Sequence, residues 1–196
     1  MKITLINGSP RDDKSTRRLL EEAEAALAER GVDTAWITPH ESLAELQVPY
    51  CTHCTPACRG ECWEGTAVQD DYRLLAEADG MIVGSPVYFG TVSAPLKGFW
   101  DMTRKLRSQQ DLLYTVGGAL SVGGGRYGGQ ETTLRAVHDM MLVQGMIIVG
   151  DSARKSPGHM GAPAQAPARK DEHALERARS LAHAVVDVAE ATQNLR

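Results

Sequence analysis

The chain has 196 residues, of which 42% are hydrophobic and 23% charged, and its formal net charge is −4 at pH 7. This length suffices for one well-buried core, and the even composition predicts a single domain over residues 1–196. The mild acidity argues against nucleic acid as a partner, and the sequence has no apolar run long enough to span a bilayer and no charged-then-apolar leader. We therefore expect a cytoplasmic protein that binds neither nucleic acid nor membrane.

The first half of the chain alternates between strand and helix patterns. Its opening aliphatic and β-branched run is typical of a strand buried on both faces, and Leu and Ala then recur at helical spacing. The predicted elements are a strand at 2–7, a helix ending at Gly31, a strand at 32–38, a short helix at 70–77 and a strand at 80–84.

The alternation continues in the second half, where one segment has no periodicity. We predict a helix at 92–106, a strand at 112–122, a helix at 131–143, a strand at 146–149 and a C-terminal helix at 170–190. Residues 151–169 are rich in Gly and Pro and are predicted to be a long loop, either a passive linker or a lid over the active site. Five strands alternating with helices predict an α/β fold, a doubly wound parallel sheet with helices on both faces.

The loops that follow the first, third and fourth strands have unusual sequences. Ligands of open parallel sheets bind at the carboxyl ends of the strands, where these loops meet. Small residues, hydroxyls and cations in loop 8–16 are typical of a phosphate cradle at a helix N-terminus, or simply of a well-capped helix start. In the next loop, paired aromatics between glycines suit a planar ring or plug the sheet edge. The third loop is glycine-rich, which permits close backbone approach to a ligand or makes a flexible hairpin.

All the cysteines lie within a predicted loop at residues 47–66. Cys51, Cys54, Cys58 and Cys62 are separated by two, three and three residues. Thiols this close together are predicted to act at one point, as ligands of an iron-sulfur cluster, as ligands of zinc, or as disulfides. A reducing compartment disfavours the disulfides, and the nearby loops favour electron transfer.

These motifs together resemble the flavodoxin-like NAD(P)H-dependent FMN reductase superfamily, and more narrowly its iron-sulfur flavoprotein branch. The resemblance covers most of residues 1–150 and implies a flavodoxin-like fold that binds FMN. The FMN phosphate and ring would be held by Ser9, Pro10, Arg11, Lys14, Ser15 and Thr16 in the first loop, by Ser85, Pro86, Val87, Tyr88, Phe89 and Gly90 in the second, and by Gly123, Gly124, Gly125 and Arg126 in the third.

The resemblance also implies a metal centre and an assembly. The four cysteines would ligate an iron-sulfur cluster, a 4Fe-4S cluster first and zinc as the alternative, although the usual spacing in that branch is two, two and then a longer gap. The segment Lys97–Asp101 resembles a helix that often lies at a subunit interface in this superfamily, so we expect a homodimer or homotetramer.

The function expected from this sequence is an FMN-dependent oxidoreductase that passes electrons between FMN, the cluster and a redox partner protein or small-molecule acceptor. No side chain is assigned as a catalytic acid or base. The alternatives are an NAD(P)H-dependent FMN or quinone reductase with structural cysteines, for which NAD(P)H is a co-substrate, and a non-catalytic flavodoxin-like carrier or interaction module.

Overall fold

The computed structural model describes residues 1–11, 13–154 and 156–195. The predicted loops 8–16 and 151–169 therefore each contain one residue outside the described part, Asp12 and Lys155. The elements are β1 (Lys2–Asn7), α1 (Ser15–Glu29), β2 (Asp33–Ile37), α2 (Pro39–Leu43), α3 (Ala67–Ala76), β3 (Gly80–Pro86), α4 (Ala94–Asp101), α5 (Arg104–Gln109), β4 (Val116–Gly123), α6 (Gln130–Val143), β5 (Ile147–Ile148), β6 (Ala162–Gln165) and α7 (Glu172–Ala191).

A parallel sheet with strand order β2-β1-β3-β4-β5 forms the centre of the fold. The aliphatic β1 lies between β2 and β3, and its Ile3 pairs with Thr34 of β2 on one side and with Gly80 of β3 on the other. The order reverses between β1 and β3, so the loops after these two strands meet at one edge. The predicted α/β fold with a doubly wound parallel sheet is confirmed, and β6 is an additional strand that pairs with β4.

The two faces of the sheet bury separate apolar layers. Helices α1 and α7 cover one face, where Leu19, Leu20, Leu181 and Val185 pack beneath them. Helices α3 to α6 cover the other face, and Phe99 is completely buried there. Because side chains of successive strand residues point to opposite faces, each strand contributes to both layers.

The fifth strand position is split into two segments, which corrects part of the predicted loop 151–169. Strand β5 pairs with Val116 and Gly117 at the beginning of β4, and β6 pairs with residues Leu120 to Gly123 at its end. Since β3 occupies the opposite edge of β4, both segments lie on the same side of it. The intervening residues leave the sheet and return, so the predicted loop contains a strand at Ala162–Gln165.

The predicted helix 92–106 is two helices rather than one. Met102 and Thr103 separate α4 from α5, and the Thr103 hydroxyl donates to the carbonyl of Trp100 at 2.7 Å. Such back-bonding competes with helix continuation. Similarly, the predicted strand 112–122 begins at Val116, because the chain turns at Tyr114 with a φ of 63°.

Within the described residues, none of the helices combines the length and the apolar character that crossing a bilayer requires.

Candidate functional site

The first loop presents unsatisfied donors at the start of α1. The N-cap residue Lys14 makes no side-chain cap hydrogen bond within the described part of the chain, which leaves first-turn amides available to an anion. Asn7 is fully buried at the end of β1, and its Nδ2 has no partner among the described residues. Ser9 is also buried, and its hydroxyl accepts from the amide of Arg11 at 3.1 Å. Uncapped amides and an unpartnered buried donor fit a phosphate group.

Two hydroxyl residues of this loop serve the packing as well. The Ser15 hydroxyl accepts a hydrogen bond from the amide of Ala168 at 3.1 Å, so the connection between β6 and α7 docks on the first turn of α1. Thr16 is buried against Gly84, where an added Cβ would lie 3.0 Å from the Thr16 methyl group. Both residues thus help to hold the predicted phosphate loop against the sheet.

The second loop exposes an aromatic side chain on a strained turn. Tyr88 and Thr91 exchange backbone hydrogen bonds of 3.0 and 3.2 Å, so Phe89 and Gly90 are the central residues of a two-residue turn. Both have positive φ values, 50° for Phe89 and 80° for Gly90. Positive φ at both positions is the geometry that Asn-Gly favours and that a bulky residue adopts at a cost. The Phe89 ring is fully exposed, which makes a role in packing of this chain's core untenable.

The glycine-rich third loop is organised by a buried amide. The Gln130 side chain donates to the carbonyl of Gly125 at 2.6 Å and to that of Ala164 at 3.3 Å. Its Oε1 accepts from the amide of Gly128 at 2.8 Å. A Cβ on Gly123 would lie 2.5 Å from the Gln130 nitrogen, so a larger residue at this position would displace the Gln130 amide. Gln130 therefore fixes the loop between β4 and α6 and connects it to β6.

Hydrogen bonds join the three loops into one edge. The amide of Gly8 donates to the carbonyl of Gly84 at 2.8 Å, and the Ser93 hydroxyl, which caps α4, donates to the carbonyl of Gly8. The Thr132 hydroxyl donates to the carbonyl of Gly90 at 2.7 Å, which connects the second loop to the third. Loops distant in sequence thus form one continuous surface at the carboxyl ends of the strands.

The predicted flavin residues line several grooves rather than one closed pocket. Arg126 lies in a groove of 1110 Å³ between the third loop and the beginning of α7. Lys14 and Ser15 lie in a second groove of 740 Å³, which adjoins the first at Pro167. Tyr88 and Phe89 border a third, of 940 Å³, beside α4 and α6.

The four cysteines lie together in the irregular segment that precedes α3, and we call residues 51–62 the cysteine loop. All four thiols are free, with Cys54 and Cys62 exposed and Cys51 and Cys58 half-buried. Burial, followed by the charges of Cys58, Cys54 and Cys51, raises the pKa of the Cys62 thiol. The thiols are therefore close enough to influence one another electrostatically.

They do not form a closed ligand group. Among the described residues, no three His, Cys, Asp or Glu side chains are positioned together to hold a metal ion. The chemistry of the donor set nevertheless fits an iron-sulfur cluster or zinc, since thiolates are ligands of both. The structure brings the predicted ligands into one loop without bringing the four sulfurs to a common centre.

An aromatic cluster lies directly beneath the cysteine loop. Trp63 packs edge-on against Tyr72 with 5.2 Å between ring centroids, and Tyr72 contacts Phe99 at 5.0 Å. The Tyr72 hydroxyl donates to the carbonyl of Phe99 at 2.7 Å. Burial, then the neighbouring thiol of Cys62 and the carboxylate of Asp71, raises the pKa of Tyr72 well above its usual value, so this phenol stays neutral and acts as a structural donor.

Sequence reasoning missed several residues that shape this edge. Asn7, Gln130 and Thr132 were not singled out by the sequence. Asn7 ends an aliphatic strand, and Gln130 and Thr132 reach across to Ala164 and Gly90, which are 34 and 42 residues away. Ser93 did carry a sequence signal, since a serine before a helix that begins Ala94-Pro95 is typical of an N-cap.

Solved structures define the class of fold. A flavodoxin, WrbA-like protein from Agrobacterium tumefaciens superposes with a TM-score of 0.69 at 20% identity over 97% of this chain and 98% of that one. A flavodoxin from the domain Archaea gives a TM-score of 0.60 at 15% identity over 98% and 99% of the two chains. The fold is flavodoxin-like, as predicted.

Sequence comparison gives the family. The NADPH-dependent FMN reductase family profile matches residues 1–158. An iron-sulfur flavoprotein of Methanocaldococcus jannaschii is 41% identical over 96% of this chain and 97% of its own length, and one of Methanosarcina thermophila is 37% identical over 100% and 99%. An NAD(P)H dehydrogenase (quinone) of Chromohalobacter salexigens is 43% identical over 84 residues, which are 43% of this chain and 42% of that protein. The chain belongs to the NADPH-dependent FMN reductase family of oxidoreductases, and to its iron-sulfur flavoprotein branch, which confirms the resemblance.

Proposed function

We propose that this protein is an FMN-dependent electron-transfer oxidoreductase that also holds an iron-sulfur cluster. The observation that carries the proposal is the joining of three loops at the carboxyl edge of the sheet, in a chain whose four free thiols lie in a loop that contacts Arg104 of α5. Full-length relatives named iron-sulfur flavoproteins support the same conclusion. When bound, FMN supplies two-electron chemistry and the cluster supplies single-electron transfer.

The chain's own residues would bind and orient the flavin. The first-turn amides of α1, with Ser9, Arg11 and Lys14, would hold the phosphate. The exposed rings of Tyr88 and Phe89 and the backbone of Gly123–Gly125 would border the planar ring, with Arg126 beside it. Since no group on this edge is assigned to proton transfer, the protein contributes position, electrostatics and access.

The cysteine loop would hold the cluster through Cys51, Cys54, Cys58 and Cys62. Its exposure supports electron exchange with a redox partner protein or a small-molecule acceptor, because the thiols of Cys54 and Cys62 are open to solvent. Electrons would pass between this loop and the flavin edge, and NAD(P)H is a candidate co-substrate at that edge.

A second candidate is an NAD(P)H-dependent FMN or quinone reductase in which the cysteines are structural. The partial identity with an NAD(P)H dehydrogenase (quinone) favours it, as does the absence of a closed ligand group among the described residues.

The test is the cofactor content of anaerobically purified protein, measured together with that of Cys54→Ser. We expect the wild type to contain FMN, iron and acid-labile sulfide, and Cys54→Ser to lose most of the iron and sulfide while it retains FMN. Thr52→Ala, a change at an exposed position in the same loop, is the control and should keep all three. Wild-type protein with FMN but without iron and sulfide would favour the second candidate, and protein without FMN would contradict both.

A further inference from the structure

The turn between Cys54 and Cys58 rests on the first residue of α5. Both terminal nitrogens of the Arg104 guanidinium donate to the carbonyl of Thr55 at 3.3 Å, and Nη2 also donates to the carbonyl of Pro56 at 3.2 Å. The planar fork of arginine suits such a pair of adjacent acceptors, whereas lysine offers a single point charge.

The remaining carbonyl of this turn is held as well. The hydroxyl of Thr55 donates to the carbonyl of Ala57 at 2.8 Å, so all three carbonyls between Cys54 and Cys58 accept hydrogen bonds. In a trans peptide the N–H points opposite to the C=O. Holding the carbonyl of Pro56 toward α5 therefore turns the amide of Ala57 away from it.

The next turn, between Cys58 and Cys62, is supported by the neighbouring residue of the same helix. The Lys105 ammonium lies 5.2 Å from the centre of the Trp63 ring, within cation–π range. Trp63 in turn packs beneath Gly60, where an added Cβ would lie 2.3 Å from the ring. Two successive residues of α5 thus support two successive turns of the cysteine loop.

At its other end, the α4–α5 helix pair reaches the carboxyl edge of the sheet, where the three predicted flavin loops meet. Ser93, the cap of α4, accepts from the amide of Leu96 and donates to the carbonyl of Gly8 in the first loop. The α4–α5 pair therefore touches the predicted phosphate loop at one end and the cysteine loop at the other.

We propose that Arg104 is the positioning residue of the cysteine loop. Its fork sets the turn between Cys54 and Cys58 in the conformation that retains an iron-sulfur cluster, and its charge favours the reduced, more negative form of that cluster. This inference rests on the proposed function for the cluster, but its geometric part concerns the loop itself and can be tested without one.

The experiment compares full-length protein carrying Arg104→Gln, Arg104→Lys or Arg107→Gln, after anaerobic reconstitution with ferrous iron and sulfide. Arg107 is an exposed cation on the same helix and serves as the matched control. The measurements are FMN content, the rate of iron release to a chelator and the reduction potential of the cluster.

We expect Arg104→Gln to release iron about tenfold faster than Arg107→Gln, which corresponds to the loss of a charge-assisted hydrogen-bonded fork, and to have a more negative cluster potential at unchanged FMN content. Arg104→Lys keeps the charge without the fork, so it should release iron quickly at a potential close to that of the wild type. Equal release rates and potentials in the Gln variants at positions 104 and 107 would overturn the proposal.

Hydrogen exchange of residues 52–60 in the metal-free proteins separates this inference from the proposed function. If the wild type binds no iron and sulfide, the cluster assignment fails and the exchange measurement alone decides whether Arg104 positions the loop. Faster exchange in Arg104→Gln than in Arg107→Gln supports that role, and equal exchange in the two variants refutes it.

Discussion

At the scale of single residues, Phe89 combines an unfavourable backbone conformation with a fully exposed ring. Asn tolerates positive φ better than Phe does, so Phe89→Asn should relieve the backbone strain of this turn. We expect it to raise the free energy of unfolding by about 1 kcal/mol. The same change should weaken FMN binding about tenfold by removing a stacking surface.

Chemical denaturation of flavin-free protein and fluorescence titration with FMN measure the two effects. Tyr127→Asn is the control, since Tyr127 is another exposed aromatic but has no positive φ. A loss of stability in Phe89→Asn would show that the ring supports the fold and that the turn is not strained.

Asp71 makes the stability depend on pH. Burial raises the pKa of this carboxyl to about 6, against the lowering effect of the Ser42 hydroxyl, which donates to it at 2.5 Å; the nearby carboxylates of Asp70 and Glu41 add to the increase. Between the unfolded and folded pKa values the folded state binds more protons. The contribution of Asp71 is therefore fully present below about pH 4 and is lost as the pH rises through about 6.

We expect Asp71→Asn to be more stable than the wild type at pH 7 by about 1–2 kcal/mol, a value reduced for solvent screening because the carboxyl is only partly buried. The difference should shrink toward zero at pH 4. Urea denaturation at several pH values measures it, with Glu176→Gln, at an exposed carboxyl on α7, as the control. A difference that does not vary with pH would contradict the assignment.

At the scale of elements, α7 is fastened to the segment between β5 and β6 by a buried ion pair. Arg177 and Asp151 are almost completely buried, and Arg177 also donates to the Ser156 hydroxyl at 2.8 Å. Removing one partner of such a pair leaves an uncompensated charge. Arg177→Met should therefore lower the free energy of unfolding by about 3–5 kcal/mol.

Arg179→Met is the matched control, because Arg179 is on the same helix and its ion pair with Glu29 is exposed. Loss of this exposed ion pair should lower the free energy of unfolding by less than about 1 kcal/mol. Similar values for the two variants in chemical denaturation would mean that the buried pair does not fasten this segment.

Elements could be predicted where their pattern is local. The aliphatic runs of β1 and β3 and the small residues after them located the sheet and its loops correctly. The break between α4 and α5 could not be predicted, since Thr103 is held by Gln144, 41 residues away. Strand β6 has the sequence Ala-Pro-Ala-Gln, which lacks strand-forming residues, and it forms because the edge of β4 is available to it. The contacts of Gln130 with Ala164 and of Arg104 with Thr55 could not be predicted either, because these partners are 34 and 49 residues away along the chain.

At the scale of the whole molecule, the assembly state stays a prediction. Phe99 and Trp100, which lie in the segment that the sequence placed near an interface, are buried in the core of a single chain. An apolar surface remains on the same side: Val143 is 58% exposed beside the groove that Phe89 borders. A homodimer or homotetramer would bury this surface.

Val143→Glu should then shift the protein toward a monomer in light scattering after size-exclusion chromatography. Leu195→Glu, at an exposed apolar residue near the C-terminus, should leave the assembly unchanged. An unchanged oligomer in Val143→Glu would show that the interface does not include Val143. A monomeric wild type would refute the expected assembly.

The split fifth strand has a consequence for association in solution. An edge strand with a long row of free backbone groups can template pairing with another chain. Here that edge consists of two residues in β5 and four in β6, and Pro163 within β6 has no N–H to donate. A second sheet that approached this side would meet a broken row of backbone groups, so the detour between β5 and β6 protects this edge of the sheet from edge-to-edge aggregation.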